Sequence, residues 1–514
     1  MKGSITVFAS LMIMLISQFV FTLLEAGRNI EMAKIAEMDS ESGIESIFAQ
    51  YCVPLWDEYR ILAYDAGNPG EFNLDQIEDY IKAQNKSNFE ITEGSLLSDS
   101  TSMLRLNLDE ISIPDYTLLT DADGAAFQKQ IVSYMKNNIA YEAAKKLYSD
   151  YSAMYNIEKE SEYEEESVDD AIDIIKDDTS ASADKSGTEY AKSVSLARCS
   201  PSKSISDESS DKKEKSIELD EDNPLVSVSE TKTKGILSLV LEDEKISSNT
   251  LDCTNCVSER TRNCGTYTAD EDGSWYDDIL LNQYFLAYMS SYTDVKDSHS
   301  MKYELEYMIC GKDDDSENLK GTITRILLIR CAANFAYLMT SPAKQSEALA
   351  AAATMAGFTV NPAIVEAVKY GLLAGWAYCE SVLDLRTLMD GEKIPIIKSD
   401  ETWTSGLAGI SSLLSGRAKA KSSDIGLDYK GYIGGLLMFQ SKSQELYRAM
   451  DLQEATVRGN SGYSEYRMDN SICSLNLDMK YSYNTIFLSF VSMIYSKPCL
   501  LYTSPSPRDR QKSR

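Results

Sequence analysis

At 514 residues, with 80 acidic against 50 basic side chains and a formal net charge of −30, the chain is long enough for about two or three domains and too acidic for its soluble part to seek nucleic acid or anionic lipid headgroups. Its one histidine, His299, stands in the polar run DVKDSHSMKY, which removes Ser-His-Asp triads and multi-histidine metal sites and makes a solvated loop residue the expectation for it. No catalytic residue, cofactor or metal is expected, and the chain is read as non-enzymatic.

From Ile5 to Leu24 the sequence carries no charge and is broken only by Thr6, Ser10, Ser17, Gln18 and Thr22. A helix of that length spans roughly 30 Å, the thickness of a bilayer's hydrocarbon core. Ile5, Leu11, Leu15, Phe19 and Leu24 are the expected lipid contacts, with the bilayer as partner through residues 5–24. The run ends in LLEAGR, a poor small-x-small site, so a retained anchor is expected in place of a cleaved signal. A short leader holding Lys2 and a long acidic domain behind the span favour a cell-membrane protein with its N-terminus inside and its main domain outside.

Helical spacing continues past the span. Ala26, Ile30, Ala33, Ala36, Ser40, Gly43, Ile47 and Tyr51 recur at steps of three and four, and Pro54 is the first firm stop. One helix from Ile5 to Tyr51 would be about 70 Å long. Glu25, Ala26, Ile30, Ala33, Ala36, Gly43 and Ile47 form the candidate face for partner helices, since small side chains let backbones approach. The competing reading packs that face on its own domain. Glu25 itself is expected to be an interfacial carboxylate kept in water.

Composition then divides the chain. Residues 55–155 mix aromatic and aliphatic positions and read as a first folded lobe. Between Ile157 and Asp222 there are 21 acids against 9 bases, too little apolar surface to offset ordering, so residues 156–234 read as a flexible acidic, Ser-rich insertion. Residues 235–500 read as the main, mostly helical lobe. Within it Tyr303, Leu305, Tyr307 and Ile309 alternate as a strand with one buried face. Asp313 to Ser316 cap a helix, Gly357 ends an alanine-rich one, and Asn361-Pro362 opens another running to Met389.

Several motifs in these lobes have a structural reading. Gly371 and Gly375 have GxxxG spacing, but Glu366, Lys369 and Glu380 leave too short an apolar stretch to span a membrane, so core packing is expected. The acidic loops Asp121–Gly124, Asp270–Gly273 and Asp313–Glu317 invite a calcium reading. In the last, Asn318 stands at the sixth position and Thr324 at the twelfth, where an EF-hand needs Gly and Glu. Gly391 to Lys398 has no phosphate-loop spacing and reads as structural. Cys253, Cys256 and Cys264 form the one cysteine cluster, a candidate disulfide, with free thiols and metal as the open alternatives. From about Tyr502 the tail YTSPSPRDRQKSR is basic and Pro/Ser-rich; it resembles a translated sequencing adapter, and residues 501–514 are expected to be an artefact.

The opening order, KGSITVF, an apolar span and then LLEAGR running into helix, resembles the TadE/TadG-like minor pilins of tight-adherence (Tad) pilus systems. FAQYCVPLWDEYRILAYD, YELEYMICGKDDDSENLKGTITRILLIRCAANFAYL, GLLAGWAYCESVLDLRTLMDGEKIPIIKSDETW and GLDYKGYIGGLLMF extend the likeness, over about residues 1–500, to a family of membrane proteins found beside such pilus genes. If Gly3 were a prepilin cleavage glycine, Phe8 would stand where a glutamate is needed, which sets this chain apart from processed prepilins. The resemblance implies a non-enzymatic, membrane-anchored structural or assembly component of a Tad-type pilus or related secretion apparatus, with other pilus or secretion proteins as partners through the N-terminal helix. The alternative is a membrane-anchored surface hydrolase or ligand-binding protein, which a deep cleft with converging carboxylates would mark. The expected fold class is α+β, predominantly helical: a long transmembrane helix continuing into an extracytoplasmic domain with a small sheet.

Overall fold

With no proline before Pro54, the N-terminal pattern yields one unbroken helix, Lys2–Phe48 (α1), about 70 Å long. The computed structural model describes residues 2–67, 71–89, 106–136, 138–160, 169–173, 223–241, 246–252, 255–269, 274–356, 361–487 and 499–505. The chain is mostly helical with a small sheet, and it forms two compact units, each assembled from stretches distant in sequence.

The first unit gathers residues 1–134, 253–273 and 446–514. Its sheet is antiparallel and built on a central strand. β1 (Tyr64–Asp65) and β2 (Asn107–Leu118) come from the N-terminal part, and β3 (Ser471–Ser482) and β4 (Cys499–Pro505) from the C-terminal part. β2 covers one edge of β3, with Leu118 opposite Ile472 and Asn107 opposite Ser482; β1 and β4 share the other edge. Along β3, Leu475, Leu477, Met479 and Tyr481 alternate into a core shared with Met32, Ala36, Ile44 and Ile47 of α1 and with Ile77 and Ile81 of the helix Asp75–Phe89. The second half of α1 is therefore a wall of this core. Gly43 lies close in this packing: a Cβ there would stand 3.3 Å from Met479 Cε, which would have to give by a few tenths of an ångström, and 3.6 Å from Ile81 Cγ2, an ordinary contact.

The second unit, residues 135–252 and 274–445, is helical. Asp314 accepts hydrogen bonds from the backbone N–H groups of Ser316 and Glu317 and so caps the helix Asp315–Thr340. Asn361 likewise caps Pro362–Met389 through the N–H of Ala363, with proline at the helix start. These two long helices pack on each other, and Pro342–Ala356 packs on the second. Gly371 and Gly375 are buried within that packing, as core glycines.

Three local expectations are corrected. Tyr303 to Ile309 is not a strand but the helix Glu304–Cys310, because the residues alternating with the apolar ones, Glu304 and Glu306, are themselves fully buried and hydrogen-bonded. Period-two reading assumes that such acids face water. Residues 224–233, placed in the acidic insertion, form the packed helix Pro224–Thr233, capped by Asn223 and burying Leu225 and Val228; most of residues 161–222 lie outside the described residues. Residues 501–505, placed in the tail, belong to β4, whose backbone fills the open edge of β3; residues 506–514 lie outside the described residues.

Candidate functional site

The N-terminal helix changes environment abruptly at Glu25. From Ile5 to Leu24 the apolar side chains are bare: Ile5 is 68 % exposed, Leu15 61 % and Phe19 64 %, with Leu11 and Leu24 also exposed. No apolar window elsewhere in the described residues combines this length with this exposure. From Glu25 onward one side of the helix is buried against the first unit.

A collar of polar contacts marks the change. Glu25 is 2 % exposed, contrary to the expectation of a solvated interfacial carboxylate. Its Oε1 takes a 2.8 Å ion pair from Arg28, and its Oε2 accepts the backbone N–H groups of Ile486 at 3.3 Å and Phe487 at 2.9 Å. The Arg28 guanidinium sits 5.2 Å from the ring centroid of Tyr483, whose hydroxyl donates to Asn29 Oδ1 at 2.8 Å. One turn above Glu25, Phe21 stacks on Phe487 with ring centroids 6.2 Å apart. A second anchor lies further along, where Asp39 accepts from Tyr481 Oη at 2.9 Å, Asn85 Nδ2 at 2.7 Å and Asn88 Nδ2 at 3.1 Å. A carboxylate satisfied by several donors fixes the rod's rotation on the sheet.

The candidate partner face is split by this geometry. Ala36, Gly43 and Ile47 are buried in the unit's own core, whereas Ala26, Ile30 and Ala33 are exposed. The buried side instead runs Glu25, Arg28, Met32, Ala36, Asp39, Ser40 and Gly43, a face tilted from the one that small residues alone suggested. Of the cysteine cluster, Cys256 is buried and Cys264 exposed, and Cys253 lies outside the described residues.

The ionisable residues of the second unit are drawn inward. Arg330 is fully buried; its Nε and Nη2 donate to Asp384 Oδ2 at 3.0 and 2.8 Å, and its Nη1 donates to the carbonyls of Pro395 and Ile396 at 2.9 and 2.8 Å. Lys398 Nζ lies 2.6 Å from Asp384 Oδ1 and also pairs with Glu380, whose oxygens accept the N–H groups of Thr404 and Ser405. Burial works to raise the Asp384 pKa, but Arg330 and Lys398 prevail and hold it below the usual carboxylate value. Two cations and two anions thus neutralise one another, and the turn from Gly391 to Lys398 serves as their backbone scaffold.

A second cluster has no such balance. Glu304 Oε2 accepts the N–H of Ser290 at 2.8 Å and lies 2.5 Å from Nδ1 of His299, which is 4 % exposed and not the solvated residue expected. Neighbouring Glu306 accepts from Tyr292 N at 3.0 Å and Tyr429 Oη at 2.8 Å, and burial pushes its carboxyl up to about 7. Asp315, in the acidic loop read for calcium, accepts from Ser247 Oγ and the N–H groups of Lys302 and Tyr303. Asp121, in another, accepts the N–H groups of Leu118 at 2.8 Å and Gly265 at 2.7 Å. These carboxylates spend lone pairs on backbone N–H groups and on neighbouring side chains, while Glu306 Oε2 is buried without a hydrogen-bond partner among the described residues. The sequence signal that could have revealed His299 and Glu304 is their five-residue spacing beside an apolar run, a pattern too common to single out.

Among the described residues, an open depression of about 210 Å³ lies beside Ile35, Asp39 and Phe89, and another of about 370 Å³ beside Glu392, Lys393 and Asp424. Neither receives Glu306, Glu380 or Asp384.

No curated protein and no solved structure matches the chain. A family of unknown function (DUF5702) matches residues 213–483, a stretch that takes in most of the helical unit and β3 and leaves α1 outside. That match covers more than half of the 514 residues, and the chain belongs to this family of unknown function, DUF5702.

Proposed function

We propose that the chain is a non-enzymatic, single-pass membrane protein held by residues 5–24, N-terminus inside, and that its folded remainder serves outside as a structural or assembly component of a Tad-type pilus or related secretion apparatus. The observation that carries the anchor is the change of environment along one unbroken helix: bare and apolar to Leu24, then buried and hydrogen-bonded from Glu25. Leaving the charge-free run in water would expose a contiguous apolar surface that soluble proteins avoid. The structural reading is supported by the placement of the buried carboxylates, which are bonded to backbone and cations away from either depression. The pilus reading rests on the likeness of the opening segment to TadE/TadG-like proteins.

Deleting the gene tests the assembly reading. Loss of surface filaments by electron microscopy is expected, restored by the wild-type chain and not by one lacking residues 2–24. Unchanged piliation and adhesion in the deletion strain would overturn it.

A further inference from the structure

The geometry points to a second membrane contact: the turn after β3, through Ile486 and Phe487, seats in the lipid interface beside the anchor helix. This rests on the reading of residues 5–24 as a membrane span and adds a partner surface that the span alone does not require. β3 runs along α1 toward the span, since Tyr481 meets Asp39, Tyr483 meets Asn29 and Phe487 meets Phe21. Phe21 lies about 5 Å inside the end of the apolar run, so whatever depth the bilayer gives Phe21 it also gives the ring stacked on it.

The chemistry of the turn agrees with that depth. Ile486 presents an apolar side chain that is 37 % exposed. The backbone N–H groups of Ile486 and Phe487, costly to leave unpaired near lipid, are both taken by Glu25 Oε2. The Glu25 charge is in turn matched by Arg28, and Tyr483 supplies an amphipathic ring at the level where such rings collect. Cys499 of β4 pairs with Ser482, at the end of β3 nearest the span. From Tyr481 to Phe487 the sequence carries no charge.

The test uses the full chain in phosphatidylcholine vesicles, with a photoreactive benzophenone amino acid in place of Phe8, Val53, Ile486 or Phe487, and mass spectrometry of adducts after irradiation. Phe8 is 65 % exposed within the span; Val53 is 46 % exposed just past the far end of α1, about 35 Å beyond Leu24. Lipid adducts at Phe8, and at Ile486 or Phe487 at least tenfold above Val53, are expected. Adducts at Phe8 with both turn positions at the Val53 level overturn the second contact and leave the anchor standing, as does crosslinking of the turn to a second protein chain in place of lipid. No lipid adducts at Phe8 would overturn the anchor and the second contact together.

Discussion

Two helices of this chain, Lys2–Phe48 and Asp315–Thr340, are each long and apolar enough to cross a membrane, yet the apolar window of the first is wholly exposed and that of the second is 67 % buried. The difference lies in the polar residues each carries. Asp315–Thr340 brings Arg330 and Asn334 into its middle, and the helix Pro362–Met389 answers with Asp384 and Ser381. Between Lys2 and Glu25 the helix Lys2–Phe48 brings no charge, and from there Glu25 finds its partners in Arg28 and the β3 turn, and Asp39 in the sheet and the helix Asp75–Phe89. Hydropathy measures how much a helix needs to leave water, and the placement of its charges tells whether the chain itself supplies the alternative solvent.

The largest effect expected from breaking this contrast is in the second helix. Lys398→Met leaves Glu380 and half of Asp384 buried without their cation, which should cost about 3–5 kcal/mol and lower the urea midpoint of the helical unit. Membrane association through α1 should be untouched; a variant that unfolds at the wild-type midpoint would mean that the network contributes nothing. The complementary change, Leu15→Lys, adds a charge where none exists and should cost about 3 kcal/mol of insertion. Circular dichroism should be unchanged while the protein moves from the membrane pellet to the supernatant. Loss of helical signal or of the urea transition would show instead that residues 5–24 are needed for the fold.

A third effect concerns carboxylates whose burial outweighs the partners that favour their charge. Glu306 titrates near 4.5 when unfolded and at about 7 when folded, so the folded state holds its proton more tightly between those values. Its contribution to stability is complete at low pH, falls as pH rises through 4.5 to 7 and is lost above that, by about 3 kcal/mol across the window. Glu445, also raised to about 7, and Asp451, raised to about 6, act in the same direction, each by burial. Urea denaturation should therefore show greater stability at pH 6 than at pH 8, and Glu306→Gln should flatten that difference; an unflattened profile would assign it to the other two groups. The smallest effect is at the collar. Glu25→Ala frees Arg28 and two backbone N–H groups at a cost of about 1–2 kcal/mol, read as faster hydrogen exchange at Ile486 and Phe487 with the α1 amides unchanged.

The long apolar N-terminal helix, its continuation to Phe48 and the caps at Asp314 and Asn361 were legible because each depends on residues within a few turns. A small sheet was expected but its strands were not placed, although Leu475, Leu477, Met479 and Tyr481 alternate plainly, because β3 pairs with strands more than 350 residues earlier in the chain. The alternation at Tyr303 to Ile309 misled because Glu304 and Glu306 pair with His299 and Tyr429, partners no periodicity reveals. At the site, the small residues of α1 correctly marked close approach, but at Ala36 and Gly43 what approaches is the chain's own sheet and helix. Glu25 was misplaced for a related reason: its partners are 3 residues away at Arg28 and 462 residues away at Phe487.

The claim that one helix serves two solvents is tested most directly by alkaline carbonate extraction of membranes from cells making either the full chain or one lacking residues 2–24. The full chain should remain in the pellet, and the shortened chain should appear in the supernatant, folded, with the urea midpoint of the parent. Release of the full chain by carbonate, or retention of the shortened chain in the pellet, would contradict it.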